Sequence, residues 1–171
     1  RPLVEGRGRV EFRDVHFGYV QGREVLRGLN LTLEPGRITA LAGPSGAGKT
    51  TTADLLLKLF EPWSGEILVD GQPLSKAGCS AVRAVIGVVA ADGTVFRGTL
   101  ADNIRYKRPQ ASDQEVLSAA LASDLGRALE RLPEGLATEI GERGVGLSMG
   151  ERQRLQLMSA LLDPVERPRH R

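Results

Sequence analysis

The chain has 171 residues, 41% hydrophobic and 26% charged, the balance of an ordinary folded domain. Its 23 Lys and Arg against 21 Asp and Glu leave a formal net charge of only +2, which gives no support for a nucleic-acid or anionic-membrane partner. Cys79 is the only cysteine, which excludes an internal disulfide and a cysteine-based metal site, and no stretch approaches the roughly 18 apolar residues of a membrane-spanning helix.

Val10, Phe12, Val15 and Phe17 lie among polar residues and predict a strand, and Val25 to Leu33 predicts a second. Glu34-Pro35-Gly36 is a turn, and Ile38 to Ala42 is a short apolar run of the kind a buried strand shows. A Gly-rich loop follows, then a helix expected from Lys49 to Phe60, with Ala53, Leu56, Leu57 and Phe60 at three- and four-residue spacing. Ile67, Val69 and Asp70-Gly71 predict a strand and hairpin, and Ile86 to Val89 another buried strand. After Gly98 the character turns helical. Ser112 and Glu115 form a capping box for a helix through Leu121, a short helix after Ser123 stops at Pro133, and the last helix runs from Ser148 to Leu162. The expected organisation is an α/β lobe over 1–98, a helical lobe over 99–164 and a basic tail over 165–171.

Gly43-Pro44-Ser45-Gly46-Ala47-Gly48-Lys49-Thr50 fits the G-x-x-x-x-G-K-[ST] phosphate-loop pattern, between a predicted strand and a predicted helix. Glycines let the backbone curl round a phosphate, successive N–H groups form an anion nest, and the helix adds its positive dipole end. Lys49 is placed to reach the β- and γ-phosphates of a nucleotide and Thr50 to ligate Mg²⁺; Thr51 follows in the first helical turn.

Four further segments narrow the reading. Leu147-Ser148-Met149-Gly150-Glu151-Arg152-Gln153-Arg154-Leu155 resembles the ABC transporter signature, L-S-G-G-Q followed by a basic helix. Thr138-Glu139-Ile140-Gly141-Glu142-Arg143-Gly144 resembles the loop before the signature in ABC exporters. Phe17-Gly18-Tyr19 stands where that family carries its adenine-stacking aromatic, and Phe96 to Ile104 resembles the entry to its helical lobe. By this resemblance the fold is an α/β P-loop NTPase core of ABC type, with a mixed sheet and an α-helical lobe, incomplete at the C-terminus. It also implies ATP and Mg²⁺ as ligands, and coupling of ATP binding and hydrolysis to transmembrane export at the cytoplasmic face of a membrane. The implied partners are a transmembrane domain and a second nucleotide-binding domain paired head to tail, with no nucleic acid. Ser148 and Gly150 would then cover the partner's ATP, Glu139 would meet the membrane domain, and Tyr19 would stack on adenine. Each has a plainer reading beside it: Ser148 and Glu151 as a helix capping box, Glu139 as a solvated loop charge, Tyr19 as a strand aromatic in the core. His16 reads as structural, and Trp63 has no functional reading.

The sequence departs from the family's pattern in places. Ala91, followed by Asp92, stands where a glutamine that senses γ-phosphate is expected. Met149 and Glu151 replace a Gly and a Gln of the signature, and a carboxylate there adds unfavourable negative charge beside phosphate. Leu161-Leu162-Asp163-Pro164 resembles the lead-in to the Walker B strand, but no apolar run ending in Asp-Glu follows. The chain is therefore expected to be a segment of something longer, with no catalytic residue identified within it. Two other readings stand beside the exporter: a non-hydrolysing half that pairs with an active subunit, and an ABC-type ATPase acting on DNA or in translation.

Overall fold

The computed structural model describes residues 6–89, 94–122, 131–132, 134–141 and 146–162. The positions of Ala91 and Asp92, the helix expected after Ser123, Glu142 to Gly144 and everything from Asp163 onward lie outside the described residues. The chain divides into two compact units that meet in sequence at Ile86 and Gly87.

The first unit is built on a four-stranded antiparallel sheet. Strands β1 (Val10–Phe17), β2 (Leu26–Leu33), β3 (Ser64–Val69) and β4 (Gln72–Pro73) lie in the order β2-β1-β3-β4. Strict alternation along β1 would bury Val10, Phe12, Asp14 and His16; instead Val10, Phe12, Val15 and Phe17 are buried. A bulge resets the phase: the register shifts between Phe12 and Val15, and Asp14 takes a positive φ of 49°. Gly65 faces that bulge with φ 82°, and a Cβ there would lie 2.2 Å from the Asp14 carbonyl oxygen. Asp70 (φ 48°) and Gly71 (φ 76°) make the expected tight turn, with Val69 paired to Gln72. The Asp70 carboxylate also accepts from the backbone N–H groups of Arg7, Gly8 and Arg9, which fastens the incoming chain to this hairpin.

Helix α1 (Lys49–Leu56) packs Leu55 into the core formed by Phe12, Val15, Phe17 and Ile67. It is shorter than the expected Lys49–Phe60. Lys58 turns to a left-handed φ of 53°, and its ammonium donates to the carbonyls of Leu74, Ser75 and Ala77 at 3.1, 3.0 and 2.6 Å. That bend ends the helix and leaves Phe60 half exposed beside Phe17, at 5.6 Å between ring centroids. Trp63 donates its backbone N–H to the His16 carbonyl and sets its ring 6.2 Å from Phe17, so it is a packing residue. Helix α2 (Cys79–Val85) closes the unit by burying Val82.

Two expected strands do not form. Ile38 to Ala42 and Ile86 to Val89 are without strand structure; Ile38 is fully exposed and Leu41 and Val88 nearly half so. A short apolar run becomes a central strand only when neighbours pair with both its edges and helices cover its faces. Among the described residues no strand lies beside either run.

The second unit is helical. It contains α3 (Leu100–Ile104), α4 (Asp113–Ala122) and α5 (Met149–Leu162), with a two-residue ladder of β5 (Gly98–Thr99) against β6 (Glu139–Ile140). Leu100, Ile104, Val116, Leu155 and Met158 form its core. The expected capping box of α4 is present: Ser112 N–H donates to the Glu115 carboxylate at 2.8 Å, and Glu115 N–H to Ser112 Oγ at 3.3 Å. A second one, Thr99 with Asp102, starts α3. Buried Asn103 uses its whole amide, accepting from Phe96 N–H and donating to the carbonyls of Phe96 and Thr99.

Candidate nucleotide-binding site

The phosphate-loop residues lead into α1 as expected, but the strand expected before them, Ile38 to Ala42, does not form. Gly46 and Gly48 take φ values of 83° and 85°, which only glycine adopts without strain. Gly48 is the N-cap of α1, and its carbonyl accepts from both the backbone N–H and the hydroxyl of Thr52. A Cβ at Gly48 would meet Leu26 Cδ2 at 2.5 Å, so β2 itself demands the missing side chain. Ala47 N–H closes a turn onto the Pro44 carbonyl at 3.2 Å. Lys49 curls back over its own loop and donates to the carbonyls of Gly43 and Pro44, at 2.8 and 2.7 Å. Ser45, Ala47 and Thr50 are exposed round the mouth of the loop, and Thr51 is buried beneath it. A curled loop, a helix N-terminus and an ammonium held at the rim form a donor set that fits a polyphosphate, with the Thr50 hydroxyl available to an accompanying cation.

Tyr19 is not a core aromatic. Its ring is half exposed and meets Phe17 and Phe60 edge-on, each at 5.2 Å between centroids. Its hydroxyl reaches α1, donating to Asp54 Oδ2 at 2.8 Å and lying 3.1 Å from Thr51 Oγ1. The Thr51 hydroxyl favours the phenolate, but burial and the Asp54 carboxylate outweigh it and raise the phenol above its ordinary range. The turn that carries Tyr19 is held at its base, where His16 Nδ1 lies 2.6 Å from Glu24 Oε1.

In the helical unit, Ser148 and Glu151 form the capping box that starts α5. Ser148 N–H donates to Glu151 Oε2 at 2.7 Å and Glu151 N–H to Ser148 Oγ at 3.3 Å. Glu151, whose charge is expected to oppose phosphate, has partners within the chain. Its carboxylate is buried, bonded to Ser148 and paired with Arg131, and these partners hold it below the usual carboxylate range. Met149 and Gly150 are exposed at the helix start. Glu139 is exposed on β6, opposite Thr99.

Sequence reasoning missed the anchoring of Tyr19 by Asp54, since the two are distant in the chain and nothing local marks a hydroxyl–carboxylate pair. It also missed the half-exposed Phe96, whose ring stacks on Tyr106 at 4.2 Å. Exposure of Phe96, which lies just before β5, is not readable from the sequence.

A glycine-curled phosphate loop capping a helix, together with a serine-capped helix start in a separate helical unit, defines an ABC-type P-loop nucleotide-binding domain. The family described as ABC transporter matches residues 26–166. "ATP-binding cassette sub-family B member 6" of Homo sapiens is 45% identical over 94% of this chain and 19% of that protein. The "ATM1-type heavy metal exporter" of Novosphingobium aromaticivorans is 43% identical over 94% of this chain and 26% of that protein. A solved bacterial Atm1-family ABC exporter with ATP bound matches with a TM-score of 0.90 at 42% identity, over 95% of this chain and 28% of that one. The chain belongs to the ABC transporter family, as an ATP-binding domain of the exporter type. It spans about a fifth to a quarter of the length of these relatives.

Proposed function

We propose that the chain supplies the ATP-driven step of a membrane exporter, holding Mg-ATP at the phosphate loop and transmitting its hydrolysis to a transmembrane partner. The observation that carries this is the loop itself: Lys49 is held by the Gly43 and Pro44 carbonyls at the rim of a helix capped by Gly48. Gly46, Ala47, Gly48 and Ser45 would surround the phosphates, Lys49 would meet the β- and γ-oxygens, Thr50 and Thr51 would lie at the helix start, and Thr50 would hold Mg²⁺. Bound Mg²⁺ would neutralise charge on the transferred phosphoryl group. Tyr19 would offer its ring to adenine. The solved relative bears ATP, which supports the same ligand here.

Ser148 and Gly150 would cover ATP held by a second nucleotide-binding domain, at a helix N-terminus that favours phosphate. The internal pairing of Glu151 supports an active signature, because its charge is already matched by Arg131. Glu139 and the exposed Phe96–Tyr106 stack would face the membrane partner. No helix among the described residues is long and apolar enough to cross a membrane. For this 171-residue stretch alone we propose ATP binding without substantial turnover, because its sequence contains no apolar run ending in Asp-Glu to add a second carboxylate contact to Mg²⁺ and a base for the attacking water.

The test uses the membrane-embedded transporter. Lys49→Ala should abolish ATP-dependent transport and weaken ATP binding strongly. Glu139→Ala should lower transport severalfold and leave ATP affinity within about twofold. Equal loss of ATP affinity in both variants would contradict the separation of the two roles.

A further inference from the structure

The Tyr19 hydroxyl is tied to the phosphate-loop helix, and the tie runs through a residue that no motif marks. Asp54 lies on α1, and its Oδ2 is 2.8 Å from the Tyr19 hydroxyl. Thr51, on the same helix, lies 3.1 Å from that oxygen. The helix that begins at the phosphate loop therefore holds the aromatic side chain carried by the β1–β2 turn.

We infer that Asp54 is a positioning residue for nucleotide binding: by accepting the Tyr19 hydroxyl it fixes the aromatic ring in register with the phosphate loop. The proposal rests on the reading of Tyr19 as the surface that receives adenine. A half-exposed ring at a turn has rotamer freedom to lose on binding, and that loss weakens affinity. Here that freedom is already restricted before the ligand arrives. Phe17 and Phe60 hold the ring edge-on, and the hydroxyl bond fixes the remaining swing. The phenol stays protonated, as a donor to a carboxylate must be. One rigid helix would then set both the point where phosphates are held and the direction in which the ring lies.

The mechanism makes the effect selective for the base. A loosened ring weakens binding of a nucleotide and does nothing to a ligand without a base. The experiment measures dissociation constants of the purified chain for ATP and for inorganic tripolyphosphate. The variants are Asp54→Ala, Asp54→Asn, Tyr19→Phe, Tyr19→Ala and the Tyr19→Phe/Asp54→Ala pair. Tyr19→Phe and Asp54→Ala should each weaken ATP about 3- to 10-fold and leave tripolyphosphate within about twofold. Asp54→Asn, which keeps an acceptor oxygen, should recover most of the loss. The double variant should be no weaker than either single one, because both remove the same bond.

Equal weakening of ATP and tripolyphosphate by Asp54→Ala would overturn the proposal, since Asp54 would then act on the phosphate loop. So would additive losses in the double variant, or an unchanged ATP affinity in Tyr19→Phe. The underlying reading fails separately: if Tyr19→Ala binds ATP as tightly as the parent, the ring does not receive the base, and both ideas fall.

Discussion

His16 carries a titratable link within the turn that presents Tyr19. Its Nδ1 faces Glu24 at 2.6 Å and its Nε2 faces Asp14 at 3.4 Å. The Glu24 bond, helped by Asp14, raises the imidazole above its ordinary value of 6.5 against a smaller opposing effect of burial. A raised folded-state value means that protonation favours the folded chain. The stabilisation is fully present below the ordinary value and is lost as pH rises through the raised one. The melting temperature of His16→Gln should therefore fall slightly below that of the parent at about pH 5.5, and the gap should narrow by about pH 9. A gap that stays constant across that range would show that the ring matters through packing alone. The structural reading of His16 made from the sequence stands, with a named partner added.

At the scale of elements, the starts of helices were the most legible features. Ser112 with Glu115 and Ser148 with Glu151 are three residues apart, and the capping chemistry needs nothing beyond that spacing. The Asp70-Gly71 turn was legible for the same reason. Glu151 extends the lesson to α5. Its folded carboxylate is held low by Ser148 first and Arg131 after, so its contribution is present above the ordinary value of 4.5 and fades as pH falls through the folded value. Glu151→Ala should lower unfolding stability at neutral pH by about 1 kcal/mol, read from denaturant midpoints, with the difference shrinking in acid. An undiminished difference in acid would remove the charge from the explanation. Strands were less legible. Ile38 to Ala42 and Ile86 to Val89 have the composition of buried strands, but composition does not reveal whether neighbours pair with them, and here no described strand does. The phase break inside β1 was hidden too, because the Asp14 bulge is answered by Gly65, some fifty residues away in sequence.

On the scale of the whole molecule, the two units carry separate sets of candidate residues. The sheet unit holds a loop, a lysine and an anchored aromatic ring, while the helical unit holds a capped helix start and an exposed aromatic stack. The loop was readable because its chemistry is written in consecutive residues. The ring's anchor was not, because it depends on a contact between β1's turn and α1 that only folding creates. The central claim is that this chain holds ATP through Lys49. Equilibrium titration of the purified chain with a fluorescent ATP analogue and Mg²⁺, in parallel with Lys49→Ala, tests it most directly. Losing a charge-assisted contact to phosphate predicts a drop in affinity of about tenfold or more, with the melting temperature of the unliganded variant close to that of the parent. Equal affinity in parent and variant would contradict the account.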